Sequence, residues 1–217
     1  MHSGQVGFPG GGFDVLTIKA SAAPGGPLQY TLVPATGLTT TLGYFSSFDA
    51  IHTALAQPFE SVKVGVPAGD SATWRNIESV NLTGRDNAQY GDLLVFWGTG
   101  GSYHGGGQGT TSSASSYYDT FYGDWSSATT AISWINDPAK VQSANGVMLS
   151  GLERLLLSTG SGNDTLSNIT VSTDDVFITG AGNDMISAGG GNDRVEAGAG
   201  NDFIDVGTGV DTVDGDF

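Results

Sequence analysis

The chain has 217 residues, 35 of them glycine and none cysteine, with 22 acidic side chains against 7 basic ones and a formal net charge of −15. That charge argues against nucleic acid and against an anionic membrane surface as partners and favours cations, while the absence of cysteine excludes a disulfide framework and thiolate metal sites. Hydrophobic residues, at 38%, are too many for a wholly disordered chain, yet no stretch approaches the roughly 18 apolar residues of a membrane span, and the opening MHSGQVGFPGGG lacks the apolar core of a signal peptide.

Residues 1–157 read as β-rich. A glycine loop leads into GFDVLTIKASAA and LQYTLV, where Thr, Val, Tyr and Leu stand between Gly and Pro punctuation. Within the following stretch, GLTTTLGYFSSFDAIHTALAQPFESV, only SFDAIHTALAQ hints at a helix, with Phe48 and Ile51 at i, i+3 and Ala54 near the same face. NIESVNLTG (76–84) precedes a second glycine-containing segment, NAQYGDLLV (87–95). A third glycine cluster (106–110) is followed by TSSASSYY, expected as an exposed loop, then DTFYGDWSSATT, TAISWI and GLERLLLSTG (151–160). The order glycine loop, strands, Glu-containing strand, glycine loop occurs twice. Two tandem copies of one module are expected, the first longer by about thirty residues.

The composition shifts near residue 158. Ten Asp and one Glu stand against a single base, Arg194, between Ser158 and Phe217. In frame, the segment reads TGSGNDTLS (159–167), TVSTDDVFI (170–178), TGAGNDMIS (179–187), AGGGNDRVE (188–196), AGAGNDFID (197–205) and VGTGVDTVD (206–214). The eighth position holds Leu166, Phe177, Ile186, Val195, Ile204 and Val213, always apolar. Three residues with the apolar one central make a short strand that points one side chain inward. The six before it, rich in Gly and Asn, make a tight turn with positive φ angles. Two nonapeptides then form one coil, and successive coils must stack before any is stable.

Turns on one side of such a coil recur every second unit, so Asp184 stacks on Asp202 and Asp193 on Asp211. A column of carboxylates repels itself unless it is neutralised. A hard divalent cation taking six to eight oxygens from carboxylates and carbonyls does this, and Ca²⁺ suits the task better than Mg²⁺, which keeps its waters. The competing readings are a flexible acidic tether with accidental periodicity and a solenoid that binds no metal.

These nonapeptides resemble the G-G-x-G-x-D-x-U-x calcium-binding repeats of secreted bacterial RTX (repeats-in-toxin) proteins, over 179–214 and, with one degraded unit, over 159–178. The resemblance implies an all-β fold, a parallel β-roll or β-solenoid with glycine-rich calcium-binding turns over 158–217, preceded by a degenerate solenoid-like region over 1–157. It implies an ion between turns on the same side, held by the Asp of position six and by carbonyls of the glycine-rich loop. Carried over, the metal residues are Asp164, Asp184, Asp193, Asp202 and Asp211, with Gly162, Asn163, Gly180, Gly182, Asn183, Gly189, Gly191, Asn192, Gly198, Gly200, Asn201, Gly207 and Gly209 around them. TVSTDD has no glycine, which sets Asp175 apart. Asp164 and Asp184 are twenty residues apart rather than eighteen, so their stacking requires a bulge. Position one is never glycine. In the same frame PGGGFDVLT (9–17) places Asp14 in the metal slot and Leu16 inward, and YGDLLV keeps Gly91-Asp92.

Catalytic signatures are missing. His2, His52 and His104 lack the H-E-x-x-H spacing of a zinc protease, no G-x-S-x-G elbow occurs, and no Lys-Ser/Thr follows a glycine cluster. Asp119, Asp124 with Trp125, Glu78 or Glu153 could serve carbohydrate chemistry. The equivalent places of Glu78 and Glu153 in the internal repeat favour structural roles, and Trp74, Trp97, Trp125 and Trp134 read as core or edge residues. The expectation is a non-enzymatic, extracellular or cell-surface module that folds on Ca²⁺ after export of an unfolded chain, as the RTX resemblance implies through type I secretion. A self-assembling surface-layer, adhesin or filament subunit, and an accessory module of a polysaccharide-modifying enzyme, are the alternatives. Calcium ions, further copies of itself or other domains of a parent protein, and polysaccharide are the corresponding partners. Because solenoid ends need caps, the chain is also expected to be a fragment or to dock its end on a partner.

Overall fold

A computed structural model describes residues 5–6, 15–19, 29–34, 39–43, 46–57, 59–65, 71–74, 79–84, 91–106 and 118–215. Asp14, Glu78 and residues 111–117 of the TSSASSYY insertion lie outside these residues, as does the side chain of Trp74. The chain divides into two compact units, Met1–Asp119 and Thr120–Phe217.

In the first unit β1 (Gln5–Val6), β2 (Val15–Lys19), β3 (Gln29–Pro34), β4 (Thr40–Leu42), α1 (Phe48–Ala56), β5 (Phe59–Gly65), β6 (Ser71–Trp74), β7 (Ser79–Thr83), β8 (Leu93–Val95) and β9 (Gly101–His104) follow in order. One sheet runs β1-β6-β5-β3-β4 and is antiparallel apart from β1 on β6. Its period-two alternation buries Tyr30 and Leu32 on β3, opposite Leu42 on β4 and Val64 and Val62 on β5. The helix expected around residue 50 is present: Ser47 caps it by accepting the Ala50 N–H at 3.2 Å, and Phe48 and Ile51 form its buried face. A second, parallel stack runs β2-β7-β9, with Leu16 beside Val80 and Leu82 beside Tyr103.

The second unit contains β10 (Thr120–Asp124), β11 (Ser133–Ile135), β12 (Gln142–Ala144), β13 (Val147–Ser150), β14 (Arg154–Ser158), β15 (Thr165–Ser167), β16 (Val176–Ile178), β17 (Met185–Ser187), β18 (Arg194–Glu196), β19 (Phe203–Asp205) and β20 (Thr212–Asp214). From β14 onward successive strands alternate between two sheets. β10-β14-β16-β18-β20 form one and β11-β15-β17-β19 the other, parallel throughout. β12 and β13 form an antiparallel hairpin on Asn145-Gly146, both at positive φ, as a tight two-residue turn requires. The compositional boundary at 157/158 lies inside this unit, because β10 and β14 stack on β16 in one sheet. β2 on β7 in the first unit and β10 on β14 in the second are both parallel pairs.

Register aligns the apolar slots. Leu166, Ile186 and Ile204 stack in one sheet and Leu157, Phe177, Val195 and Val213 in the other. Leu166, Phe177, Ile186 and Val195 are fully buried, whereas Val213, on the last strand, is half exposed. The two extra residues between Asp164 and Asp184 do not disturb the strands. They widen the turn after β15, where Asn168 to Val171 fold back with the Val171 N–H donating to the Asn168 carbonyl at 3.3 Å.

Candidate metal centre

Short strands leave little length for error, so every turn places its sixth residue at the same corner. The corners form two columns. On one side stand Asp164, Asp184 and Asp202, beneath Ile132; on the other stand Asp175, Asp193 and Asp211, beneath Leu155. One hydrogen bond repeats down each column: the main-chain N–H of one coil donates to Oδ1 of the aspartate in the next. The distances are 2.8, 2.7 and 2.9 Å on the first side and 2.7, 2.8 and 3.0 Å on the second. Asp164, Asp175, Asp184 and Asp193 are buried, and Asp202 and Asp211 half-buried.

That bond uses one carboxylate oxygen. The other, Oδ2, of Asp164, Asp184 and Asp193 is buried and has no hydrogen-bond partner. An orphaned buried acceptor costs about 1–3 kcal/mol, and more when charged. Burial pushes the Asp193 carboxyl up to about 6, opposed by the Asp175 N–H and reinforced by the charges of Asp211 and Asp174. Burial also raises Asp184, opposed by the Asp164 N–H and by the nearby Thr179 hydroxyl, whose own hydrogen bond goes to the Ala197 carbonyl, with Asp164 and Asp202 adding repulsion. At Asp164, Asp184 and Asp193 the chain itself supplies no partner for the second oxygen.

The glycine turns complete the donor set. Gly198 and Gly200 have φ of +79° and +149°. A Cβ on Gly200 would collide with the Gly182 carbonyl oxygen of the coil before, and one on Gly198 with that of Gly180. Gly180, Gly182, Gly189, Gly191, Gly207 and Gly209 repeat the same positive-φ geometry, while Gly162 instead packs on the main chain of Thr130 and Ala131. The carbonyls of Gly180 and Gly189 accept the N–H groups of Ala199 and Thr208. Those of Gly162, Gly182 and Gly191 accept no hydrogen bond among the described residues. Three or more acidic or imidazole side chains nowhere cluster among these residues, so carbonyl oxygens must make up the rest of any coordination shell.

The Asn slot behaves differently from the aspartate beside it. Asn163 Oδ1 accepts the Asn183 N–H at 2.8 Å, Asn183 Oδ1 accepts the Asn201 N–H at 2.8 Å, and Asn192 Oδ1 accepts the Val210 N–H at 2.9 Å. Here the acceptor lies on the earlier coil, so neighbouring Asn and Asp columns stitch the stack in opposite senses. With their side-chain oxygens committed, these residues have main-chain carbonyls to offer a cation. Position one, never glycine, is buried at Thr159, Thr179, Ala188 and Ala197, and the Thr179 hydroxyl donates to the Ala197 carbonyl at 2.9 Å.

Asp175 takes its in-frame place in the column despite the glycine-free turn. Its second oxygen is not orphaned, because the amide of Asn168 donates to it at 2.7 Å. Of the carboxylates considered for carbohydrate chemistry, Asp119 and Asp124 accept hydrogen bonds from nearby main chain. Asp119 is buried and accepts the Asp92 N–H at 2.7 Å, which repeats the column bond in the first unit, and Asp124 accepts the N–H and hydroxyl of Ser126. Glu153 is buried, and its carbonyl accepts the Asn168 amide and the Thr173 hydroxyl. Trp125 and Trp134 lie in the core with Phe121, ring centroids 5.7–6.2 Å apart.

Parallel strands of three residues, hard oxygen donors at every turn and buried unpaired carboxylate oxygens define a calcium-binding repeat structure. Residues 170–204 and 188–217 match the RTX calcium-binding nonapeptide repeat, in four copies, and this segment of the chain consists of such repeats. RTX nonapeptide repeats bind calcium ions. Comparisons with curated proteins and with solved structures returned no match. No helix among the described residues is long and apolar enough to cross a membrane.

Proposed function

We propose that the chain is a structural module of a secreted protein, and that its acidic repeats close into a parallel β-roll when they meet extracellular calcium. The observation that carries this reading is the buried, partnerless Oδ2 of Asp164, Asp184 and Asp193. Ca²⁺ supplies a double positive charge and accepts six to eight hard oxygens. Asp164, Asp184 and Asp202 would hold it along one side and Asp193 and Asp211 along the other. The open carbonyls of Gly162, Gly182 and Gly191, and main-chain oxygens of the Asn-containing turns, would complete the shell.

The proposed action is folding itself, without a catalytic step. Each coil after Phe177 adds two small apolar side chains to the core, which recovers little of the entropy of ordering eighteen residues. Sites of the extracellular class, with Kd of about 10⁻⁴–10⁻³ M, stay empty inside a cell and fill outside it. At free calcium ten times Kd, each filled site adds about 1.4 kcal/mol. A chain loose in low calcium suits export before folding.

Far-UV circular dichroism of the whole chain, titrated with calcium and then with chelator, tests the reading. Strand signal should rise with calcium and fall on chelation, and a signal unchanged by chelator removes the proposal. Equilibrium dialysis checks the residues: Asp184→Ala and Asp193→Ala should each lower the number of bound calcium ions, and an unchanged stoichiometry would show the assignment to be wrong.

A further inference from the structure

The two aspartate columns do not begin alike. In the column of Asp175, Asp193 and Asp211, the first member has both carboxylate oxygens satisfied by the chain. Oδ1 accepts the Leu155 N–H at 2.7 Å, and Oδ2 accepts the Asn168 amide at 2.7 Å. Asn168 is completely buried and fixed from every side. Its amide also donates to the Glu153 carbonyl at 2.7 Å, and its Oδ1 accepts the amide of Asn136, which in turn reaches the Leu152 carbonyl at 2.8 Å. Asn168 is one of the two residues that lengthen the turn after β15, so the irregularity in spacing delivers this amide to the carboxylate.

A positive charge is built in as well. Arg154 Nε donates at 2.8 Å to the main-chain carbonyl of Asp174, an oxygen of the kind a calcium ion takes in later turns. Burial lowers the Arg154 pKa, and the charges of Asp175 and Asp174 offset part of that cost. The turn concerned, TVSTDD, has no glycine to hold carbonyls open. The apolar core is also deepest here: Phe121, Trp125, Trp134, Leu155, Leu156, Leu157, Leu166 and Phe177 are buried, whereas the last coil leaves Val213 half exposed. Fully buried large side chains contribute about 1.5–3 kcal/mol each.

We propose that the coils over residues 120–178 form a metal-independent template, in which Asn168 and Arg154 stand where later coils need calcium, and that calcium adds the following coils onto it. On the opposite side the column opens at Asp164, whose second carboxylate oxygen has no partner in the chain. Folding then has a direction, from β14 and β16 toward β20, and the calcium requirement begins at a defined place. The inference rests on the calcium-driven folding proposed above and goes further by locating its boundary.

Hydrogen–deuterium exchange of the full chain, in calcium and after chelation, tests it. Two lost sites correspond to roughly a hundredfold change in opening equilibrium. Amides of 194–214 should therefore exchange about a hundredfold faster after chelation, and those of 154–158 and 176–178 within about threefold of their calcium-bound rates. Loss of protection in both regions together would overturn the template while leaving calcium-driven folding in place. Retention in both would instead overturn calcium-driven folding, and the template with it. Asn168→Asp replaces the internal donor with a second carboxylate. Protection of 154–158 and 176–178 should then vanish on chelation and return with calcium, and a variant with the wild-type pattern would refute the role given to Asn168.

Discussion

The buried carboxylates give the metal-free protein a pH dependence opposite to that of most proteins. Asp193 has its pKa raised to about 6, burial being the main cause. A carboxyl whose folded value lies above its unfolded value of about 3.8 binds its proton more tightly in the native state. Its stabilisation is full below pH 3.8 and is lost as pH rises through 6. Between pH 4 and pH 7 a shift of this size amounts to about 3 kcal/mol at 1.36 kcal/mol per unit, reduced to about 2 kcal/mol by solvent screening. Asp184 and Asp175 are raised as well and act with the same sign. Metal-free protein, prepared by passage over a chelating resin, should resist urea better at pH 5 than at pH 7 when the 194–214 strands are followed by hydrogen exchange. Asp193→Asn should flatten that slope between pH 5 and 7. In saturating calcium the order reverses, because protons compete with the ion for the same oxygens and the apparent affinity falls below pH 6. Metal-free protein that loses stability on acidification from pH 7 to 5 would refute the placement of these charges in desolvated columns.

Gly200→Ala puts a Cβ into the Gly182 carbonyl at a φ of +149° and should raise the calcium midpoint by at least about tenfold, equivalent to about 1.4 kcal/mol. Gly215→Ala, with open space around its Cβ, is the matched control and should leave the midpoint in place. Leu166→Ala removes a side chain 1% exposed at the centre of its stack and should cost about 2–5 kcal/mol in a urea melt in calcium. Ser47→Ala deletes the cap of the single helix among the described residues and should cost about 1 kcal/mol. That loss should be the same with and without calcium, because the helix lies in the other compact unit.

Much of this protein is written in spacing. An apolar residue two places after an aspartate, repeated every nine, specifies a three-residue strand, its inward side chain and the corner where the carboxylate stands. Leu166, Phe177, Ile186 and Val195 and the two columns follow that pattern in the structure. The Phe48–Ile51 helix is equally local, needing only a cap and a three-residue period. Spacing did not reveal that the Asn side chains stitch coils together, since a polar residue in a turn has the same sequence appearance whichever way its oxygen points. Nor did it show that Asp175, in its column, already has both carboxylate oxygens hydrogen-bonded by the chain. The Asn168 amide that donates to Asp175 comes from the lengthened turn between two strands, and the guanidinium beside it from a strand twenty residues earlier. A periodic pattern repeats one local solution, so a single unit is enough to read it. The partners of an irregular buried polar group are chosen by whatever the rest of the chain brings within 3 Å, and that choice exists only once the coils have stacked.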